Sequence, residues 1–347
     1  MTTIPPEPSP PQTAPGPTPS TAATGAYTSR SSPTTRPTTA TARTRGGGLA
    51  DLPPIPARDP SEAVLDDPTV PEDKRRCGQC TKPVGRSTPD GEKGRAQGFC
   101  PHCRAPFSFV PSLRRGDVVA GRYEILGAIA HGGMGWIYLA SDKNIGDDVT
   151  SRWVVLKGLI DTSDPDAIEA AISERRFLAS LEHPNIVQIH DFVRHPDPRT
   201  NEALNYIVME YVPGRSLRDL RHEHRDEDGS RVPLPLSQVL TYAAEVLPAL
   251  GYLHRHGLLF CDFKPDNVIH VESWLKLIDL GAVRRIDDDE SPVFGTHGYA
   301  VPDDEIVEEG PSVSSDLYTV ARSTAVLAFD FHGFATESRH QFPSPER

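Results

Sequence analysis

The stretch from Phe260 to Gly281 limits what this chain can fold into more than any other. It opens Phe260-Cys261-Asp262-Phe263-Lys264-Pro265-Asp266-Asn267 and runs into the apolar Val268-Ile269-His270-Val271. After a short break, Leu275-Lys276-Leu277-Ile278 leads to Asp279-Leu280-Gly281. Two apolar runs this close predict a hairpin, with charged and amide side chains at its ends. Such a set suits phosphoryl transfer. Asp262 can orient a hydroxyl and accept its proton, and Lys264 supplies a cation beside a moving phosphoryl group. Asn267 and Asp279 offer oxygen ligands for Mg²⁺. A lone Asp-x-Lys arises by chance; the ordered set is a strong signal.

A chain of 347 residues is long enough for one large core or two smaller ones. Its net charge of −12 argues against nucleic acid as a partner, because phosphate contacts call for a surplus of Lys and Arg. The basic residues Lys74, Arg75, Arg76, Arg86, Lys93 and Arg95 read most simply as a solvated face. No apolar run is long enough to cross a bilayer. The start, Met1-Thr2-Thr3-Ile4-Pro5-Pro6, has neither the charge nor the apolar core of a signal peptide. The expectation is a cytoplasmic protein without membrane insertion.

Residues 1–72 hold nearly half of the chain's 35 prolines, many Ser and Thr, and one aromatic side chain, Tyr27. Ordering a backbone costs roughly 1–2 kcal/mol per residue, and this segment has little apolar surface to offset that. It is expected to be a disordered tail. It reads as a solubilising linker, or as a phosphorylatable one whose threonines, some near Arg36, Arg43 and Arg45, become docking sites for a phosphothreonine reader.

Residues 73–115 form the next module. Cys77-Gly78-Gln79-Cys80 and Cys100-Pro101-His102-Cys103 are two Cys-x-x-Cys knuckles, which together supply four thiolates to one ion. So short a segment cannot bury a sufficient core, so its folding free energy comes from the metal. The ion is Zn²⁺ as a structural staple, or Fe as a centre that changes charge. The second knuckle resembles that of rubredoxin, with Thr81 and Arg104 standing where glycine usually follows each pair. His102 reads as a bystander.

From Asp117 the pattern is strand-like. Ile129-Ala130-His131-Gly132-Gly133-Met134-Gly135-Trp136-Ile137 places glycines between two strands, where backbone N–H groups can approach phosphate oxygens. Trp153-Val154-Val155-Leu156-Lys157 reads as a strand ending in a cation, and 167–181 as an amphipathic helix carrying Glu174. Tyr206-Ile207-Val208-Met209-Glu210-Tyr211-Val212 reads as a buried strand entering a hinge, with Gly214 allowing the turn. Val239, Ala243, Leu247, Leu250 and Leu253 recur at helical spacing.

The order of these motifs resembles that of eukaryotic-like protein kinases. The resemblance implies an α+β, bilobal kinase fold, with a β-rich small lobe at about 116–209 and a mainly helical, incomplete large lobe at about 213–347. It implies ATP and Mg²⁺ (or Mn²⁺) as cofactors. Asp262, Lys264, Lys157 and Glu174 are then catalytic, with Lys157 reaching the α/β-phosphates from its ion pair with Glu174. Ile129, Ala130, Gly132, Gly133, Met134, Gly135, Ile137, Val155, Met209, Glu210, Val212 and Ile269 would line the nucleotide site. Ala130 replaces the first glycine of the loop, and Val155 replaces the usual alanine. Leu178, Ile189, Phe260 and Leu280 would stack as a column joining the lobes.

Two departures carry information. Phe260-Cys261-Asp262 lacks the arginine that usually pairs with a phosphate on the activation segment, so activity should not depend on that phosphate. Val301-Pro302-Asp303-Asp304-Glu305 stands where Ala-Pro-Glu is expected. A Thr-rich tail, a rubredoxin-like module, this catalytic loop and Asp-Leu-Gly together resemble the actinobacterial protein kinase G family. That resemblance implies phosphorylation of Ser or Thr on a forkhead-associated-domain regulator docked on a phosphorylated N-terminal threonine. It also implies a following tetratricopeptide-repeat domain that assists dimerisation, and the chain lacks one. A reading from another class is a nucleotide-binding scaffold without turnover, motivated by Ala130 and the irregular Pro302–Glu305 segment. Cys261 reads as an inert buried thiol or as a redox-sensitive one.

Overall fold

Alternation of side chains along extended segments organises the N-terminal half of the domain. The computed structural model describes residues 52–132, 135–144, 152–158, 176–288, 295–296, 298–301 and 310–329. In the metal module, β1 (Gln97–Phe99) and β2 (Pro106–Ser108) form a short hairpin. Six further strands follow: β3 (Val118–Val119), β4 (Tyr123–Gly132), β5 (Gly135–Asp142), β6 (Arg152–Gly158), β7 (Ile189–Pro196) and β8 (Ala203–Glu210). They pair antiparallel in the order β3-β4-β5-β6-β8-β7.

The period of two decides which side chains face the site. On β6, Val154 and Leu156 point into one cluster with Tyr123, Ile125, Tyr138, Tyr206 and Val208. Val155 and Lys157 therefore point to the opposite face, where Ile189, Ile207 and Met209 belong to the second cluster. Each buried aliphatic side chain contributes about 1.5–3 kcal/mol, so a one-residue slip of β6 is strongly disfavoured.

The second cluster continues into the C-terminal half. There β9 (Arg215–Ser216) leads into α1 (Leu217–Glu223), whose N-terminus is capped by Ser216 Oγ accepting the Asp219 N–H at 3.0 Å. Next come α2 (Leu236–Arg255), β10 (Leu258–Leu259), a 3₁₀ turn at Pro265–Asn267, β11 (Val268–Val271) and β12 (Trp274–Leu277). The expected hairpin is β11–β12, in register from Val268↔Leu277 to Val271↔Trp274. β13 (Arg284–Arg285) pairs back with β10, and α3 (Val313–Ala328) starts at a capping box between Ser312 and Ser315.

The expected face of α2 is largely the buried one, with Ala243 packed against the core and Leu247 the exception. Val239, Leu250 and Leu253 are buried, but so are Tyr242, Val246 and Ala249, while Leu247 is exposed with Leu236 and Leu240. Helical spacing leaves this choice open, because apolar residues occur on both stripes; packing against α3 resolves it. Of the helix expected at 167–181, residues 167–175 lie outside the described residues, and Arg176–Ser180 forms a 3₁₀ turn.

The expected disordered tail must be shortened at its C-terminal end, since residues 52–72 have defined contacts. Ile55 exchanges backbone hydrogen bonds with Glu272, at 2.9 and 2.6 Å, in the β11–β12 turn. Arg58 N–H donates to the Pro213 carbonyl at 2.8 Å, Leu65 N–H to Ala128 at 2.9 Å, and Val70 N–H to Phe109 at 2.9 Å. The segment thus runs from the C-terminal half, past the hinge, to β4 and the metal module. Proline and threonine content hides it because its contacts are mostly backbone bonds, with Leu52 and Val70 as buried anchors. Among the described residues, no helix is long and apolar enough to cross a membrane.

Candidate active site and metal centre

Lys157 and Asp279 meet although they are 122 positions apart, with Lys157 Nζ 2.5 Å from Asp279 Oδ1. β6 presents the lysine on the face away from Val154 and Leu156. The end of β12 presents the aspartate, and the Gly281 N–H holds it by donating to the same Oδ1 at 2.9 Å. Neither bond uses Oδ2. Burial works against ionising Asp279, but the Lys157 ammonium, its hydrogen bond and the Gly281 amide outweigh it. The carboxyl is therefore held below its usual range. Val187, Ile189, Ile207, Met209 and Leu280 line the cleft around this pair.

Asp262, Lys264 and Asn267 converge beside it. Lys264 Nζ donates to Asp262 Oδ2 at 2.6 Å. Asn267 Nδ2 donates to the Asp262 carbonyl at 2.8 Å and to its Oδ2 at 3.2 Å, which turns the amide oxygen away from that carboxylate. Ile278 N–H donates to the Asn267 carbonyl at 3.0 Å, so the two candidate ligand residues lie on adjoining backbone. An amide oxygen and a carboxylate at the adjoining open ends of the β11–β12 hairpin fit a hard cation such as Mg²⁺.

Two further groups belong to this site: Gly295-Thr296 resembles the end of a kinase activation segment and Asp316-Leu317-Tyr318-Thr319-Val320 the start of the family's central buried helix, but the sequence assigns neither side chain a role. Thr296 Oγ1 donates to Asp262 Oδ1 at 2.6 Å and accepts from Lys264 Nζ at 2.6 Å. Asp316, fully buried on α3, accepts the amides of Phe260 and Cys261 at 2.8 Å each, and His254 Nε2 lies 2.8 Å from its Oδ2. The Gly-Thr dipeptide was the available signal for Thr296. For Asp316 the signal was the resemblance of Asp316-Leu317-Tyr318-Thr319-Val320 to the start of a buried helix, which places the residue but not its hydrogen-bond partners.

On the nucleotide side, Ile129, Ala130, Gly132, Gly135, Ile137 and Val155 are half-buried on β4, β5 and β6, and Ile269 is half-buried on β11. Val155 pairs with Met209, and Ile137 with Lys157, across the ladders. Gly135 has φ +104°, a conformation L side chains rarely adopt. At the hinge Met209 and Val212 are buried, and the Glu210 carboxylate is paired with Lys276. A Cβ on Gly214 would lie 2.3 Å from the His270 carbonyl oxygen, so the turn requires glycine. Leu178, Ile189, Phe260 and Leu280 are all buried in one cluster. Glu174, Gly133, Met134 and Pro302–Glu305 lie outside the described residues.

Cys261 adopts φ +64°. Burial, then the Asp316 charge, push its thiol up to about 12, so it is neutral at physiological pH.

In the metal module the Sγ atoms of Cys77, Cys80, Cys100 and Cys103 all lie within 4.8 Å of one another. Cys77–Cys103 and Cys80–Cys100 are 3.5 and 3.6 Å apart. A tetrahedral ion with bonds of about 2.3 Å needs sulfur separations of about 3.8 Å, so the donor set fits a metal. Backbone N–H groups of Cys80 and Gln79 lower the Cys77 thiol to about 6 despite its burial. Thr81 and Arg104 take φ +59° and +67°, the conformation that glycine would supply. The Thr81 and Arg104 amides bond the Cys77 and Cys100 carbonyls at 2.9 Å each, so both knuckles close with these residues in place.

Comparison with known proteins agrees with this geometry. Residues 123–342 match the family model described as Protein kinase domain, and residues 39–113 match that described as Protein kinase G rubredoxin domain. The chain is 50% identical over 285 residues to the serine/threonine-protein kinase PknG of Mycolicibacterium smegmatis, covering 82% of this chain and 35% of that protein. It is 47% identical over 293 residues to PknG of Mycobacterium leprae, covering 83% and 37%. Identity to the serine/threonine-protein kinase PknB of Mycobacterium leprae is 33% over 216 residues, 58% of this chain and 31% of that one. The chain thus spans little more than a third of the length of the PknG relatives, at 35% and 37%.

Proposed function

Because the chain belongs to the protein kinase family, with a rubredoxin-type module before its kinase domain, we propose that it transfers the γ-phosphate of ATP to a serine or threonine of a protein. The meeting of Lys157 with Asp279, next to the Asp262–Lys264–Thr296 cluster, carries this reading. Asp262 orients the acceptor hydroxyl and takes its proton as the oxygen bonds to phosphorus and the bond to the ADP oxygen breaks. Lys264 places a positive charge beside the transferring group, and Lys157 holds the α/β-phosphates. Asn267 and Asp279 hold Mg²⁺, which when bound offsets charge on the phosphate oxygens. The Met209–Val212 hinge receives adenine, with Val155, Ile137 and Ile269 packing on it.

The neutral thiol at Cys261 supports activity that needs no phosphate on the activation segment. The tetrathiolate site holds one Zn²⁺ or Fe ion. The acceptor we propose is a cytoplasmic protein with a forkhead-associated domain, docked on a phosphorylated N-terminal threonine; the support is the family resemblance and the Thr-rich tail.

A transfer assay with casein as acceptor, comparing the chain with Asp262→Asn, tests the assignment. Activity should fall by about 10²–10⁴-fold. Equal activity in both would overturn it. Stabilisation by Mg-ATP without any transfer would instead favour a nucleotide-binding scaffold.

A further inference from the structure

Asp266 stands in the same turn as Lys264 and Asn267. The Asn267 N–H closes that turn by donating to the Lys264 carbonyl at 2.9 Å. Pro265 and Asn267 are buried, while the side chain of Asp266 between them is 31% exposed. Its Oδ1 accepts a hydrogen bond from Arg218 Nη1 at 2.6 Å, and the Arg218 side chain is 59% exposed. Backbone pairing brings the arginine there. Ser216 pairs with Ile269, two positions past Asn267, and also caps α1. Leu217 is buried, so Arg218 begins from a fixed point beside the catalytic loop.

An ion pair this exposed contributes little to stability, because water screens it and two side chains must be ordered to make it. Its consequence is for what approaches the loop. A hydroxyl that reaches Asp262 carries its neighbouring residues across the same surface. Four residues of chain span at most about 14 Å, so a side chain within about four positions of that hydroxyl can reach Asp266. A bare carboxylate there would favour an acceptor with Arg or Lys at such a position. Arg218 already fills that role, at the high effective concentration of a partner on the same molecule. An incoming cation meets a neutralised pair and a like charge. Asp262 offers no substitute, since Lys264 holds it at 2.6 Å. Asp219 is exposed and lies about 100° further round α1.

We propose that Arg218 determines acceptor specificity: by pairing with Asp266 it cancels a subsite for a basic side chain near the acceptor hydroxyl. The chain then does not select basic sequences, and a variant without Arg218 does. The effect on transfer rests on the kinase reading above; the cancelled subsite itself does not.

The test uses the full chain, its Arg218→Ala variant and the double variant Arg218→Ala/Asp266→Asn. The acceptors are serine peptides flanked by alanine, in which one alanine at a time is exchanged for arginine on either side of the serine. The parent should use the arginine and all-alanine peptides with equal kcat/KM. Arg218→Ala should prefer arginine at one position by about fivefold, the size of an exposed ion pair, with the all-alanine rate unchanged. The double variant should lose that preference. Fluorescence anisotropy with labelled copies of the set, their serine replaced by alanine, gives a readout independent of transfer. Arg218→Ala should bind the same arginine peptide about fivefold more tightly than the parent does, and the double variant should not. A preference for arginine in the parent, or none in Arg218→Ala, overturns the proposal. A parent that transfers no phosphate while Arg218→Ala still binds the arginine peptide more tightly removes the kinase reading and keeps the cancelled subsite. Neither transfer nor tighter binding overturns both.

Discussion

Asp316 Oδ1 accepts the Cys261 N–H at 2.8 Å, joining α3 to the catalytic loop across 55 positions of chain. The same carboxylate accepts the Phe260 N–H, and His254 holds its other side. A non-glycine residue at φ +64° costs about 1–2 kcal/mol, and these bonds offset it. Asp316→Ala leaves two buried amides unpaired. It should destabilise the chain by about 3–5 kcal/mol and reduce transfer more than tenfold. Urea denaturation and the casein assay check both.

Thr296 spans the acid–base pair, bonding both Asp262 and Lys264 at 2.6 Å. Thr296→Ser keeps the hydroxyl and should retain most activity. Thr296→Val removes it, which frees both partners, and should lower kcat about tenfold or more with little change in ATP KM. Equal kcat in the Val and Ser variants would show that the hydroxyl has no part in transfer.

The metal module has only a small apolar core, Val84 with Phe107 and Phe109 beside the cysteines. Its folding therefore depends on roughly 10–16 kcal/mol of apparent metal-binding free energy. Cys100→Ser/Cys103→Ser should release the ion and expose residues 77–110 to protease, while the rest of the chain keeps its fold. Metal analysis before and after decides it; retained stoichiometry removes the tetrathiolate model.

Residues 52–65 leave no room on β4. A Cβ on Gly127 would lie 2.4 Å from Val64 Cγ1. Gly127→Ala should push that segment off the strand at a cost of about 1–3 kcal/mol. Val64→Ala in the same chain should restore most of the loss. Thermal melts of the two single variants and the double one test the contact, and additive losses would argue against it.

His270 is fully buried beside Tyr242, 3.0 Å from its hydroxyl, and burial holds the imidazole below its usual pKa. The unfolded chain then takes up the proton at a higher pH than the folded chain. The contribution to stability is present above about pH 6.5 and is lost as pH falls below it. His190, half-buried on β7, is depressed by burial in the same sense. Melting temperature should drop between pH 7 and pH 5, and less steeply in His270→Gln.

The chemical residues were legible because phosphoryl transfer needs particular side chains at short spacings. Asp262, Lys264 and Asn267 lie within one loop, and Asp279 follows one hairpin later. The Cys-x-x-Cys knuckles were legible for the same reason, since each is closed by local backbone geometry. The exposure of Leu247 on α2 was not legible, because a second apolar stripe with Leu236 and Leu240 satisfies the same helical period. Nor was the ordering of residues 52–72, whose stabilising contacts are backbone bonds to partners remote in sequence.

Residue order alone therefore settled the chemistry of this protein: which donors, acceptors and sulfurs are available, and in what local groups. The tertiary structure alone settled their long-range partners. It set Asp279 against Lys157, Asp316 under Cys261, Thr296 over Asp262, and Asp288 on Arg284. The physical reason is that a charge in the sequence is the same letter whether it meets water or a counter-charge. Only packing of the surrounding apolar faces removes the water and leaves one partner within reach.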